Sequence, residues 1–164
     1  MKMIKAGVIT VSDKGSAGQR EDQSGPEVGR ILETIGIEVM RRAVIPDEMQ
    51  QVRDVLVDFA DHQEIDLIVT TGGTGVAPRD VTPDATMSVI DREVPGMAEA
   101  MRRESCKITP HALISRAVVG IRGRTLIVNL PGSPRSVREN LAVILPALLH
   151  AIEKIKGDPK ECAV

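Results

Sequence analysis

The sequence predicts an α/β protein whose mostly parallel sheet is covered by helices on both faces and carries one antiparallel strand pairing. Segments with strand-like patterns alternate along the chain with segments of helical periodicity. The strand-like segments are also continuously apolar, which is typical of parallel strands buried on both faces. The chain has 164 residues and no repeat or linker, so we expect a single domain over residues 1–164.

The first half of the chain supplies three predicted strands, at residues 3–11, 37–45 and 66–70. A helix begins at Ser24, where residues 24–27 have the spacing of a capping box with proline in the first turn, and it ends at Gly36. A second helix opens at Pro46, with Asp47 as its candidate N-cap. These segments give the alternation expected of an α/β sheet.

The second half begins with two helices, one capped by Thr82 and the two residues that follow it, and one that starts at Pro95. Residues 117–121 and 125–130 read as two strands joined by a tight turn through Arg122 and Gly123, which predicts the antiparallel pairing. A long helix follows from Pro134, with Ser133 as its N-cap, and ends at Gly157.

The composition argues against a nucleic-acid-binding protein. The formal net charge is −2, and the basic residues occur in scattered pairs such as Arg41 and Arg42 rather than on one predicted face. Phe59 is the only aromatic residue, so the chain lacks the rings on which single-stranded bases stack. Any anionic ligand must therefore meet a local positive field.

The sequence also predicts a cytoplasmic protein without a membrane segment. Cys106 and Cys162 lie far apart and outside any CxxC pattern, which fits a reducing compartment and gives neither a zinc site nor a disulfide framework. The first residues turn polar too soon for a signal peptide, and no apolar run approaches the ~20 residues that cross a bilayer. The histidines are isolated and no cysteine has an evident base partner, which argues against a nucleophilic enzyme intermediate.

Ligands of an open parallel sheet gather at the carboxyl ends of its strands, where the loop TTGGTG at residues 70–75 lies. Glycines leave backbone N–H groups unshielded, so this loop can wrap an anion, and its threonine hydroxyls can also donate. The alternative is a tight turn that needs positive φ angles. No Walker A lysine and no GxGxxG pattern follow, so the loop is neither nucleotide-binding fingerprint.

Three acidic residues follow strands at the same predicted edge. Asp80 lies a few residues after the glycine loop, where a carboxylate can hold Mg²⁺ against phosphate oxygens, or it is a plain surface acid. Asp84 is explained by its place in the first turn of a helix, where its negative charge complements the helix dipole. Asp47 is either an N-cap or a functional acid.

Two further loops add polar groups to this edge. Ser133 serves as an N-cap, and the same geometry aims free N–H groups at the space above the sheet, so it is also a candidate anion site. Ser12 and Asp13 follow the first strand and bring polar side chains to the same place.

Taken together, these motifs resemble the MogA/MoaB molybdopterin-binding family. The motifs are TTGGTG (residues 70–75), PRDVTPDAT (78–86), PDE (46–48), NLPGSP (129–134), VITVSD (8–13) and SGP (24–26). They occur in the same order as in that family, and the likeness runs from about residue 4 to residue 157. TTGGTG followed closely by RDVTPDAT is a specific signature.

The resemblance implies a three-layer α/β/α fold, a homotrimer and molybdopterin adenylyltransferase activity, in which Mg²⁺ and ATP serve the transfer of AMP to the terminal phosphate of molybdopterin. It implies that Asp47 and Asp80 are the essential acids and hold the metal. The substrate-binding residues carried over are Ser12, Asp13, Thr71, Gly72, Gly73, Thr74, Gly75, Pro131, Gly132 and Ser133. It also suggests that the product is handed to a molybdenum-insertion enzyme.

Two alternatives remain open at this point. The chain is compact after NLPGSP and in length is closer to MoaB, which suggests a trimer that binds or carries molybdopterin without chemistry. Related pterin-binding domains also occur in molybdenum-insertion enzymes and in CinA-type nucleotide hydrolases, usually within longer chains. Retention of Asp80 and Asp84 favours the active adenylyltransferase.

Overall fold

A computed structural model describes residues 3–159. These residues form six strands and six α-helices, with a π-helical turn at Asp58–His62 and a 3₁₀ turn at Pro110–Ile114. The strands are β1 (Ile4–Val11), β2 (Ile37–Ile45), β3 (Leu67–Thr71), β4 (Arg92–Glu93), β5 (Val119–Arg122) and β6 (Thr125–Leu130). The helices are α1 (Asp13–Ser16), α2 (Ser24–Glu33), α3 (Met49–Val57), α4 (Thr82–Val89), α5 (Pro95–Cys106) and α6 (Pro134–Ile155). Cys162 lies outside the described residues.

The six strands form one mixed sheet in the order β2-β1-β3-β6-β5-β4. The pairs β1–β2, β1–β3 and β3–β6 are parallel, and β5–β6 is the predicted antiparallel pair. The short strand β4 adds a second antiparallel pairing, which its two residues were too few to signal in the sequence. The chain passes from β1 to β2 on one side and later to β3 on the other, which makes the carboxyl ends of β1 and β3 a topological switch point.

Helices cover both faces of the sheet, which confirms the three-layer α/β/α fold. On one face α2, α5 and α6 bury residues such as Val28, Met101 and Leu141 against the sheet. On the other face α3, α4 and the π-helical turn bury Val52 and Phe59. Since both faces are covered, the central strands β1, β3 and β6 are buried along nearly their whole length, as the sequence indicated.

Two predicted helix caps are wrong. Ser24 lies inside α2, and Asp22 accepts a hydrogen bond from the Gly25 amide at 3.0 Å in its place. Thr82 is the first residue of α4, and its hydroxyl donates 2.9 Å to the Gly72 carbonyl instead of accepting from its own helix. Both hydroxyls instead donate to carbonyls of other loops: Thr82 to the glycine loop, and Ser24 to Gly132 in the loop after β6.

The two ends of the described chain lie together at the edge of the sheet that carries the amino ends of the parallel strands. Asp66, which directly precedes β3, accepts a hydrogen bond from the Lys5 amide at 2.9 Å and an ion-paired hydrogen bond from Lys156 at 2.6 Å. Among residues 3–159, no helix combines the length and the apolar character needed to cross a membrane.

Asn129 of β6 lies inside the fold, and both the nitrogen and the oxygen of its side-chain amide form hydrogen bonds. Its nitrogen donates to the hydroxyls of Thr70 at 3.0 Å and Thr86 at 2.9 Å, and its oxygen accepts from the Val118 amide at 3.1 Å. The residue is completely buried. These bonds join β3, β6 and α4 beneath the loops at the carboxyl edge.

We expect Asn129→Leu to lower the free energy of unfolding by about 2–4 kcal/mol, because it leaves several buried polar groups without partners. The measurement is chemical denaturation followed by circular dichroism. Asn140→Leu is the matched control, since its amide donates to a helix carbonyl that α6 already engages, and its expected loss is about 1 kcal/mol or less. Equal losses in the two variants would contradict this account.

Candidate functional site

A cavity of about 590 Å³ opens at the carboxyl ends of the parallel strands. Eight of the residues selected from the sequence line it: Ser12, Asp47, Thr71, Gly72, Gly73, Asp80, Gly132 and Ser133. The predicted residues Thr74, Gly75 and Pro131 instead line a neighbouring cavity of about 240 Å³ on the other side of the glycine loop, and Asp13 lines neither. The carboxyl edge is therefore the site that the sequence indicated.

The glycine loop begins with two residues of positive φ, Gly72 at 100° and Gly73 at 65°. A Cβ atom on Gly72 would collide with the Val11 carbonyl oxygen, so the turn also depends on close approach of two backbones. The Gly72 amide donates to the Leu130 carbonyl at 3.0 Å, and the Thr71 hydroxyl donates to the Pro131 carbonyl at 2.7 Å. The first part of the loop is thus a tight turn whose donors are already occupied.

The second part of the loop retains free donors. Within the described part of the chain, the amides of Gly73, Thr74 and Gly75 donate to no protein group. Consecutive free amides of this kind attract anions. The tight-turn interpretation is therefore confirmed at Gly72 and Gly73. Anion binding by the three free amides stays a prediction.

Asp47 is not an N-cap, and this correction bears on its role. The helix α3 begins at Met49 with Glu48 in the capping position, and neither side chain caps it. The Asp47 carboxylate instead accepts a hydrogen bond from the Asp13 amide at 2.9 Å. Burial raises the pKa of the Asp47 carboxyl, and the negative charges of Asp13 and Asp80 act in the same direction.

Asp80 lies in the loop between the glycine turn and α4. One of its oxygens accepts a hydrogen bond from the Ala77 amide at 2.9 Å, and the side chain lines the same cavity as Asp47. The two carboxylates are close enough for the charge of Asp80 to raise the pKa of Asp47. Carboxylate oxygens are the ligands that Mg²⁺ prefers.

No group of three or more His, Cys, Asp or Glu side chains within residues 3–159 could hold a metal ion. A cation between Asp47 and Asp80 would therefore need further oxygen ligands from phosphate or water, which is the usual pattern for Mg²⁺ at nucleotide sites. The donor set fits a metal carried in with a phosphorylated ligand better than a permanent structural ion.

The loop after β6 closes the cavity. The predicted cap is confirmed: Ser133 accepts a hydrogen bond from the Ser136 amide at 3.1 Å, with Pro134 in the first turn of α6. Ser24 donates to the Gly132 carbonyl at 2.6 Å and joins the start of α2 to this loop. The amino ends of α2 and α6 therefore both face the cavity.

Several cavity residues were not selected from the sequence: two end β1, six follow it and one begins α6. They are Thr10, Val11, Gly15, Arg20, Glu21, Asp22, Gln23, Ser24 and Pro134. Among residues 3–159, Arg20 is the only basic residue that lines the cavity. The spacing of Asp22 and Gly25, which suits an N-terminal cap, is the signal that could have placed this loop at the edge.

Arg116 also contacts the loops of the site, although no sequence motif indicated it. Its guanidinium donates to the carbonyls of Gly75 at 2.8 Å and Asp80 at 2.5 Å, and it forms two hydrogen bonds of 3.0 Å with the Asp84 carboxylate. Asp84 therefore forms an ion pair in addition to lying in the first turn of α4. Arg116 holds the glycine loop and the Asp80 loop together from outside the cavity.

Comparison with known proteins places this geometry among molybdopterin proteins. The family model described as the probable molybdopterin binding domain matches residues 7–150. A gephyrin of Dictyostelium discoideum is 44% identical over 94% of the chain, which spans only 23% of that gephyrin's length. The molybdopterin adenylyltransferase of Helicobacter pylori strain J99 is 39% identical, with 96% of this chain and 91% of that protein covered. The crystal structure of the molybdopterin biosynthesis enzyme MoaB from Thermus thermophilus has a TM-score of 0.90 at 48% identity, covering 97% of this chain and 100% of that one.

Proposed function

The chain belongs to the family of probable molybdopterin binding domains, and from this premise we propose that it is a molybdopterin adenylyltransferase of molybdenum cofactor biosynthesis. The observation that carries the proposal is the meeting of the first part of the glycine loop, residues 71–73, with Asp47 and Asp80 at one cavity. Relatives with the same printed activity are 39–45% identical over most of the chain, including those of Helicobacter pylori, Haemophilus influenzae and Escherichia coli.

In the proposed reaction the terminal phosphate of molybdopterin attacks the α-phosphorus of ATP. A new P–O bond forms there, the bond from the α-phosphorus to the oxygen of the β-phosphate breaks, and pyrophosphate leaves. The attacking group is already an oxyanion, so no side chain has to remove a proton from it. The protein has to position the two phosphates and offset their charge.

Backbone amides would help to position the phosphates and to offset their charge. The free amide of Gly73 and the amino end of α6 at Ser133 lie at the cavity and offer donors to phosphate oxygens without a net positive charge. Arg20 is exposed at the cavity and adds a cation. With Phe59 buried in the core, the pterin and adenine rings would rest on aliphatic side chains and peptide planes such as those at Val11 and Pro134.

Asp47 and Asp80 are the residues that would hold Mg²⁺. The ion would neutralise charge on the phosphates of ATP and fix their orientation. The donor chemistry supports this assignment: two carboxylates line one cavity, and burial together with the negative charges of Asp13 and Asp80 raises the pKa of Asp47. Arg79, the nearest arginine in sequence, is already paired with Asp13 and Glu48.

The remaining expectations stay predictions. We expect a homotrimer, and exposed apolar side chains support an interface: Val76, Leu113 and Ile114 are 63%, 74% and 52% exposed. We also retain a single domain over residues 1–164, a cytoplasmic location and a hand-over of the product to a molybdenum-insertion enzyme. Analytical ultracentrifugation tests the first of these directly.

The decisive experiment mixes the protein with ATP, Mg²⁺ and molybdopterin and looks for adenylylated molybdopterin and pyrophosphate by mass spectrometry. We expect both products, and neither when the metal is removed with EDTA. Binding of molybdopterin without ATP turnover would support the carrier alternative instead. Cleavage of ADP-ribose would support the hydrolase alternative.

A further inference from the structure

We propose that Asp13 and Arg79 are positioning residues that together hold the Asp47 carboxylate against the glycine loop, so that Asp13 itself does not contact substrate. The inference rests on the proposed function, because it explains how one of the two acids of that reaction is aimed. It also departs from the substrate-binding role that the family resemblance implies for Asp13.

The first step is a reciprocal pair of hydrogen bonds between two loops. The Asp13 amide donates to Oδ2 of Asp47 at 2.9 Å, and the Asp47 amide donates to Oδ1 of Asp13 at 3.0 Å. Each residue therefore fixes the side chain of the other. Because Oδ2 of Asp47 is engaged, Oδ1 is the oxygen that lies beside the glycine loop, 3.0 Å from where a Cβ atom on Gly73 would stand.

The second step is the guanidinium that holds Asp13 in turn. Nε of Arg79 donates to Oδ2 of Asp13 at 2.6 Å, and one terminal nitrogen donates to Oδ1 at 2.9 Å. The same nitrogen also donates to Glu48 at 2.8 Å. Such a two-bond contact between arginine and a carboxylate fixes orientation as well as distance. Both oxygens of Asp13 are thus engaged, and its side chain does not line the cavity.

The third step is the position of these residues in the chain. Arg79 directly precedes Asp80, and Glu48 directly follows Asp47. The Arg79 guanidinium therefore connects the loops after β1, β2 and β3, and it couples the placement of both acids. This connection fixes the positions of the Asp47 and Asp80 carboxylates relative to each other, although they lie on separate loops.

Stability alone does not account for the arrangement. The side chains of Arg79 and Asp13 are 56% and 42% exposed, and exposed ion pairs contribute little to folding. Misplacement of a catalytic group by about 1 Å can lower a rate about a hundredfold. A contact of this kind is therefore expected to affect turnover far more than unfolding.

The test compares Arg79→Met, Asp13→Asn and the double variant in the product assay. We expect each single change to lower kcat by about 10- to 100-fold while KM for ATP and for molybdopterin stays within about twofold. The double variant should be no slower than the slower single variant, because both changes break one linkage. Arg30→Met is the matched control, since Arg30 forms a similar two-bond pair with Glu27 away from the cavity, and it should retain the wild-type kcat.

A second measurement needs no substrate. Amide hydrogen exchange at Asp13 and Asp47 should accelerate in Arg79→Met and remain unchanged in Arg30→Met, while the thermal midpoint stays the same. A rise in KM for either substrate at constant kcat would overturn the proposal by showing that Arg79 binds substrate. Multiplied losses in the double variant, or unchanged exchange, would overturn it as well. If the wild-type protein formed no adenylylated product, the exchange result would still decide whether the linkage exists.

Discussion

Asp80→Asn should lower the rate of adenylylated molybdopterin formation by about 10²- to 10³-fold, the scale found when one electrostatic contact to a transition state is removed. The substitution removes one of the two carboxylates at the cavity that would hold Mg²⁺, the ion that would offset charge on the phosphates of ATP. An asparagine oxygen can still accept the hydrogen bond from Ala77, so the loop should keep its shape. Steady-state kinetics at saturating ATP measure the effect.

The control for this prediction is a neutral change of an acid outside the cavity. Asp54→Asn alters an exposed residue of α3 that accepts a hydrogen bond only from Gln50, and it should leave the rate near that of the wild type. Circular dichroism and thermal unfolding should be the same for Asp80→Asn and the wild type. Full activity in Asp80→Asn would remove Asp80 from the proposed reaction.

Gly72→Ala should both destabilise the protein and abolish binding of molybdopterin. A φ of 100° alone disfavours alanine by about 1–2 kcal/mol. The new methyl group would also collide with the Val11 carbonyl, so either β1 or the glycine loop must move. Since the free amides of residues 73–75 follow directly, their orientation toward a phosphate would be lost.

Gly36→Ala separates the effect of the positive φ from the effect of the collision with a neighbouring backbone. Gly36 has a φ of 78°, and a methyl group there would meet nothing within 4 Å. It should therefore show only the conformational loss of about 1–2 kcal/mol and retain molybdopterin binding by calorimetry. If Gly72→Ala matched Gly36→Ala in both stability and binding, the glycine loop would not depend on close backbone approach.

Periodic apolar segments were the most predictable part of the fold. Strands β2 and β6 have the expected bounds, and the strands β1 and β3 and the helix α6 differ by a residue or so. The helix starts were less predictable: Ser24, Asp47 and Thr82 all have the residue type of a cap, yet each binds another loop. Local sequence indicates which residues can cap a helix, and tertiary contacts decide whether they do.

The candidate site was predictable to the extent that it follows strands. The glycine loop and Asp47 closely follow predicted parallel strands, and Asp80 lies farther along the loop after β3, so their meeting at one edge follows from topology. Arg79 and Arg116 were not predictable as links, because their partners lie 30 or more residues away in sequence and depend on side-chain direction. Long side chains that join loops leave no periodic signal.

The position of the two chain ends, joined through Asp66, has a consequence for how this domain can be built into larger polypeptides. Both Lys5 and Lys156 lie at the edge opposite the cavity, so the described part of the chain begins and ends away from it. A module joined near these residues would start far from the glycine turn. This geometry suits a chain that matches 23% of a much longer gephyrin, and it makes either end suitable for an affinity tag or a tethered partner enzyme.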